Sequence, residues 1–269
     1  MDNNRKEIYT HLAARIDDFL RLSEKGAPAV SNFLTPAEVH FSEQILCLKN
    51  VCDRALFFGG YDDAQRKRLV ILPSYAIEHG EGAEESFSLM FGDMSDELTV
   101  PVLLQGSGYK VLSHRDFMGA VLSLGIERDA LGDIVTVDDY SAIAFCTSAV
   151  SKLILSDLDK IGSDSIKAAI PKSLCKYDLK RKYAEISGTV ASARLDCVIG
   201  ELFGLSREKS QMLIRSGMCE LDYIVEERCD KLIDFPCEIS ARGYGKCKVL
   251  EIGTLTKKGR LRLYARKYI

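Results

Sequence analysis

No stretch of this chain approaches the roughly 18 apolar residues that a membrane-crossing helix needs. The opening residues, MDNNRKEIYTHLAARIDDF, are polar and acidic and lack the apolar core of a secretory leader. A cytoplasmic location without membrane association is therefore expected. Histidine is scarce, with four in 269 residues, and none of the nine cysteines forms a C-x-x-C pair. That argues against a zinc site, and no metal or cofactor is expected. An odd number of cysteines in a leaderless chain reads as reduced thiols, with Cys197 and Cys219 as small core residues.

The signatures of common catalysts are also missing. There is no Walker A loop, no H-E-x-x-H and no G-x-S-x-G. Gly106-Ser107-Gly108 lacks the third glycine of a dinucleotide-binding turn. His114-Arg115-Asp116 has the letters of a kinase catalytic loop, but a Gly-rich phosphate loop, a paired lysine and a DFG segment are lacking. Asp116 and Arg115 are better read as pairing or capping at the start of a helix near Ser113. No catalytic residue is assigned.

What is present begins with charge. The net charge of −3 conceals an asymmetry. Residues 1–170 hold 16 Lys+Arg against 26 Asp+Glu, a balance of −10, and residues 171–269 hold 20 against 13, a balance of +7. A polyanion is the partner such a C-terminal part suits. The acidic part would limit non-specific sticking, dock on a basic protein surface, or merely keep the chain soluble.

Length suggests two or three domains. Residues 1–80 read as a helical N-terminal region with one short strand at Leu69–Leu72, and a helix begins after Thr35 with Pro36 in its first turn. The polar, Gly-rich stretch 76–86 is a linker candidate. Residues 81–171 read as β-α-β-β-α-β, an RRM-like, ferredoxin-like sandwich, although no RNP aromatic motif lies on its strands. Residues 172–182 are a basic linker, and residues 183–269 form the last domain. The fold class is α+β.

Within that last domain, residues 194–227 carry the densest pattern. Leu195, Val198, Ile199, Leu202 and Phe203 make one apolar helical stripe, which Gly204-Leu205 interrupts. Ser206 caps a second helix whose buried face is Ser210, Leu213 and Ile214, and Gly217 supplies its left-handed stop. Arg194 and Arg207 sit in the first turns, where the helix dipole disfavours cations. A phosphate held jointly by each arginine and the free backbone N–H groups would explain them. The alternative is a solvated helix end neutralised by Asp196 and Glu208. In the closing RLRLYARKYI, Arg260, Arg262, Tyr264, Arg266 and Tyr268 share one strand face and mostly apolar residues share the other. The basic-aromatic face suits phosphate contacts and base stacking, or is the charged guard of an edge strand. Arg242-Gly243-Tyr244-Gly245-Lys246 is a glycine-flanked turn with basic ends.

Arg194-Leu195-Asp196, Ser206-Arg207, Ser210, Leu213-Ile214 and Gly217 resemble the S4 RNA-binding domain at matching spacing. That family's Asn-Gly hairpin turn is Asp222-Tyr223 here, and its later Gly-Asp is Pro236-Cys237. With FFGGYDDAQRKRLVILP at 57–73 and HRDFMGAVLSLGIERDALGDI at 114–134, nearly the whole chain resembles the YlmH family of bacterial S4-domain proteins. The resemblance implies a helical N-terminal region, an RRM-like middle domain and a C-terminal S4 (αL-type) RNA-binding domain. It implies a non-catalytic protein that binds structured ribosomal RNA, and tRNA as a further candidate, on the large ribosomal subunit, in quality control or rescue of stalled translation. Phosphate anchors would be Arg194, Arg207, Arg215, Arg242 and Lys246. Ser206, Gln211, Asp222 and Tyr223 would add polar or stacking contacts, Arg260 and Arg262 would extend the surface, and Arg115 is a further candidate. A monomer is expected. The competing reading is an S4-domain RNA-modifying enzyme of the pseudouridine synthase or methyltransferase type. It would need a catalytic aspartate in a larger second domain or a Gly-rich doubly wound sheet, and neither pattern is visible.

Overall fold

A computed structural model describes residues 3–77, 82–91, 98–257 and 259–268. The chain divides into two compact units, residues 1–180 and 181–269.

The first unit opens with α1 (Asn3–Ser23), β1 (Ala29–Leu34) and α2 (Pro36–Leu48). Helix α2 starts where the capping chemistry dictates: the Thr35 side chain accepts from the Glu38 amide, and the Glu38 carboxylate accepts from the Thr35 amide at 2.7 Å. A 3-10 turn (Cys52–Arg54), β2 (Ala55–Phe58) and β3 (Lys67–Ile71) follow. The strands form a three-stranded antiparallel sheet in the order β1-β3-β2. The expectation of one short strand in this region is thus corrected to three. Neither AVSNFL nor ALFF announces itself locally; each becomes a strand by pairing with β3, which follows β1 across α2 and β2, and follows β2 across a loop of eight residues. The linker candidate 76–86 lies partly outside the described residues, at 78–81. Its far end runs into α3 (Ala83–Phe91), where Phe87 is buried against Leu56, Val70 and Leu72.

The unit continues through β4 (Val100–Gly106), α4 (His114–Leu122), β5 (Leu131–Asp138), β6 (Ser141–Cys146), α5 (Ser148–Asp157), β7 (Lys160–Ile161) and β8 (Asp164–Ala169). The sheet order is β5-β6-β4-β8-β7, with every neighbour antiparallel. One face buries Val102, Leu104, Ala142 and Ala144 against Phe117 and Val121 of α4 and Val150 and Ile154 of α5. The other face is covered by the preceding segment. Tyr61 stacks on Phe145 with ring centroids 4.8 Å apart. Gly132 lies so close to Phe33 that a Cβ there would fall 2.6 Å from its ring, and one on Gly60 would fall 2.3 Å from Phe145. Arg66 donates to the carbonyls of Phe33 and Leu131, both at 3.1 Å. The segment read from sequence as a separate helical region therefore packs on the middle sheet as part of one body.

The second unit has β9 (Tyr183–Val190), α6 (Leu195–Phe203), α7 (Arg207–Arg215), β10 (Cys219–Leu221), β11 (Ile224–Val225), β12 (Cys237–Ala241), β13 (Gly245–Leu255) and β14 (Leu261–Tyr268). Its antiparallel sheet runs β11-β10-β12-β13-β14-β9. The apolar stripe of α6 (Leu195, Val198, Ile199 and Leu202) and Ile214 of α7 close over Ile239, Val249, Leu263 and Ala265. Gly204 (φ 64°) and Gly217 (φ 68°) take the left-handed conformation that ends each helix. Strand β14 is paired on both sides, so the edge-strand alternative for its basic face is overturned.

Candidate nucleic-acid interface

The helix pair of the second unit is organised around one buried carboxylate. Asp196, in the first turn of α6, is 1% exposed. Arg194 at the N-cap reaches over it with two donors, Nε to Oδ1 and Nη2 to Oδ2, each at 3.1 Å. Gln211 of α7 donates to Oδ2 at 2.9 Å, and Nε of Arg207 lies 3.7 Å from the same oxygen. Burial alone would raise the Asp196 carboxyl, but the hydrogen bonds from Arg194 and Gln211 outweigh it and hold the carboxyl at about 2. Asp196 thus fixes Arg194 and the Gln211 amide while α6 is docked to α7, and draws Arg207 by charge alone. Arg207 stays largely exposed, at 71% of its side chain.

The expected phosphate cradle of arginine plus free amides is corrected at α6. The Leu195 amide donates to the Lys231 carbonyl at 2.8 Å, and the Asp196 amide to Cys229 at 3.2 Å. The loop folded over the helix end takes those donors because a buried N–H must find an acceptor. At α7, Ser206 serves as N-cap, its Oγ accepting from the Lys209 amide at 3.3 Å. Arg215 is exposed in the last turn of α7, where the dipole favours a cation. Lys209, absent from the sequence candidates, is exposed on α7, its ammonium 5.5 Å from the Tyr244 ring.

Asp222 (φ 47°) and Tyr223 (φ 66°) form the two-residue turn between β10 and β11, both left-handed as a type I′ turn requires. Neither residue is a glycine, and the turn is held by anchoring to Glu238. Oδ1 of Asp222 accepts from the Glu238 amide at 2.8 Å, and the Asp222 amide donates to the Glu238 carbonyl at 2.8 Å. The Glu238 carboxylate is the second hub: Lys246, Tyr223 and Tyr268 gather on it, with the Lys246 ammonium 4.2 Å from the Tyr223 ring. Burial would raise Glu238, but those three donors bring it below its ordinary value, and burial together with Glu238 pushes both tyrosine hydroxyls up. Lys246 is consequently engaged within the fold.

The remaining candidates lie elsewhere. Arg242 is exposed at the β12–β13 turn. Leu263 and Ala265 face the core, so Arg262, Tyr264 and Arg266 point from β14 to the side away from the helices. Arg266 meets Glu185 at 3.8 Å, and Arg260 donates to Thr189. The helix arginines and the strand arginines are therefore on opposite sides of one sheet. Arg115 belongs to the first unit, exposed in the first turn of α4, while Asp116 caps that helix through Ser113. Beside it Tyr109 is 96% exposed. Glu238 as a hub was not legible from the sequence, since a lone glutamate in a strand carries no spacing pattern. Among the described residues, no group of three His, Cys, Asp or Glu side chains could hold a metal ion, and no helix is long and apolar enough to cross a membrane.

Arginines at both ends of one short helix, one of them set by a buried carboxylate, can engage successive phosphates of a nucleic-acid backbone. Comparison with known proteins agrees in kind. Residues 103–172 match the family model described as "Putative RNA-binding domain in YlmH". Over 273 residues the chain is 29% identical to "Ribosome-associated protein quality control protein P2" of Bacillus subtilis (strain 168), covering 96% of this chain and 97% of that protein. The family-model match lies within the first unit and the relative is matched along nearly the whole chain. The chain is also similar to the solved structure "Cell division protein ylmH from Streptococcus pneumoniae", with 17% identity and a TM-score of 0.48 over 66% of this chain and 97% of that one.

Proposed function

We propose that this chain is a non-catalytic RNA-binding protein of the large ribosomal subunit, acting when translation stalls. The observation that carries the reading is the Asp196 hub, which presents Arg194 and Arg207 at adjoining helix mouths with Arg215 exposed at the far end of α7. The second unit acts as an S4 (αL-type) domain and reads ribosomal RNA, or tRNA bound beside it, by shape and phosphate position. The relative named for ribosome-associated quality control supports the ribosome as the place of action. The middle segment acts as an RRM-like domain whose open sheet face is spent on Tyr61 and Phe33, so its RNA contacts come from the loop at 107–115, with Tyr109 and Arg115. The enzyme reading is disfavoured at its nearest aspartate: Asp196 is buried and held by Arg194 and Gln211, leaving no nucleophile for a base.

The test is co-sedimentation with purified large ribosomal subunits across a salt series, wild type against Arg207→Ala/Arg215→Ala. Salt-sensitive binding, weakened in the variant with roughly one to two units off the salt slope, is the expected result. Wild-type protein that fails to bind subunits or their RNA at low salt would overturn the reading.

A further inference from the structure

Among the nine cysteines, two meet. Cys47 lies in the last turn of α2 and Cys52 opens the following 3-10 turn, and their sulfur atoms are 2.6 Å apart. Both are exposed. The connecting backbone holds them there. The Asn50 amide donates to the Cys47 carbonyl at 3.1 Å and the Val51 amide to Leu46 at 3.1 Å, and Asn50 takes a left-handed φ of 55° to make the reversal. Lys49, between them, is tied to Asp17 of α1 at 2.7 Å. A covalent S–S bond is about 2.05 Å long, so closure needs only a small side-chain rotation.

We infer that Cys47 and Cys52 are a reversible dithiol–disulfide pair, oxidised by a peroxide or by a low-molecular-weight disulfide. With peroxide the step balances as two thiols and one H2O2 giving one disulfide and two waters. One thiolate attacks the O–O bond and becomes a sulfenic acid with loss of the first water. The second sulfur then displaces the sulfenic oxygen as the second water, and the S–S bond forms. With a small disulfide, the first thiolate forms a mixed disulfide and releases one small thiol, and the second sulfur releases the other. The hydrogen bond the Cys52 thiol shares with Cys47, with burial and the nearby Asp53 and Glu43 charges, raises the Cys52 thiol to about 11. Either sulfur can make the first attack, and the other is already in place to resolve the intermediate when it forms.

The pair is independent of the RNA-binding reading, because neither residue is among the proposed contacts. The full-length chain is treated with one equivalent of hydrogen peroxide, or of oxidised glutathione as the small-disulfide probe, quenched by alkylation and digested without reductant. The expected product is a peptide pair joined at Cys47 and Cys52, 2 Da lighter than the free thiols and restored by dithiothreitol. The exposed, unpaired Cys175 has no second sulfur beside it and should stop at a sulfenic acid or a mixed disulfide. In Cys52→Ser, peroxide should leave Cys47 as a trappable sulfenic acid, and glutathione disulfide should leave it as a stable mixed disulfide. Adducts at Cys47 or Cys52 that persist with no cross-link between them in the wild type would overturn the inference.

Discussion

Arg194 grips Asp196 through two parallel hydrogen bonds of 3.1 Å each, although the residues are only two positions apart. The arginine that a sequence reader assigns to phosphate thus also neutralises a carboxylate that is almost wholly buried. Truncating either partner should act on stability as well as on binding. Asp196→Ala removes the acceptor that Arg194 and Gln211 share, and about 3 kcal/mol of stability should be lost. Arg194→Ala leaves Gln211 on the carboxylate, so a smaller loss is expected. Urea denaturation of both variants would check the order.

The same carboxylate makes a pH prediction. Its folded value of about 2 lies below the ordinary aspartate value near 4. A depressed folded value stabilises above the unfolded value and is lost as pH falls through the folded one, so the contribution is complete above about pH 5 and gone near pH 1. By pH 3 about 1 kcal/mol of it should have disappeared. Asp196→Asn cannot lose this term. The stability gap between wild type and Asp196→Asn, measured by urea denaturation, should therefore narrow by about 1 kcal/mol between pH 6 and pH 3. An unchanged gap would deny the ionised, hydrogen-bonded state.

The cover over the middle sheet is tested by Gly132→Ala. The new methyl group would lie 2.6 Å from the Phe33 ring and 3.0 Å from the Phe145 carbonyl oxygen. A loss of about 2 kcal/mol is expected, and Phe33→Leu in the same chain should recover part of it. Thermal melts of the two single variants and the double variant would show the coupling.

On the reading of the chain as an RNA binder, Tyr109→Ala should weaken affinity by about 1–2 kcal/mol, the range for one lost base stack. Its melting temperature should not move, because a side chain 96% exposed contributes little packing. Fluorescence anisotropy with a ribosomal RNA fragment, beside a thermal melt, separates the two. An unchanged affinity would remove the middle loop from the interface.

The helix starts at Pro36 and His114 and the two short helices of the second unit were legible because their determinants are local. Thr35, Ser113 and Ser206 cap residues three positions on, and the stripe from Leu195 to Leu202 needs only helical spacing. The alternation in β14 was legible for the same reason, its period of two showing whichever strands lie beside it. Strands β1 and β2 were not, because pairing with β3 makes them strands and no local signal carries that.

By itself, then, the sequence determined the charge asymmetry, the helix pair with its arginines and the basic-aromatic face of the last strand, since each is written in composition or in short spacings. Tertiary structure alone decided what those groups are free to do. It folded the loop at 229–231 over the mouth of α6, closed Lys246 and two tyrosines around Glu238, laid Tyr61 and Phe33 on the middle sheet, and set Cys47 against Cys52. All four bring together groups that lie apart along the chain or across a backbone reversal, a relation that no local spacing records.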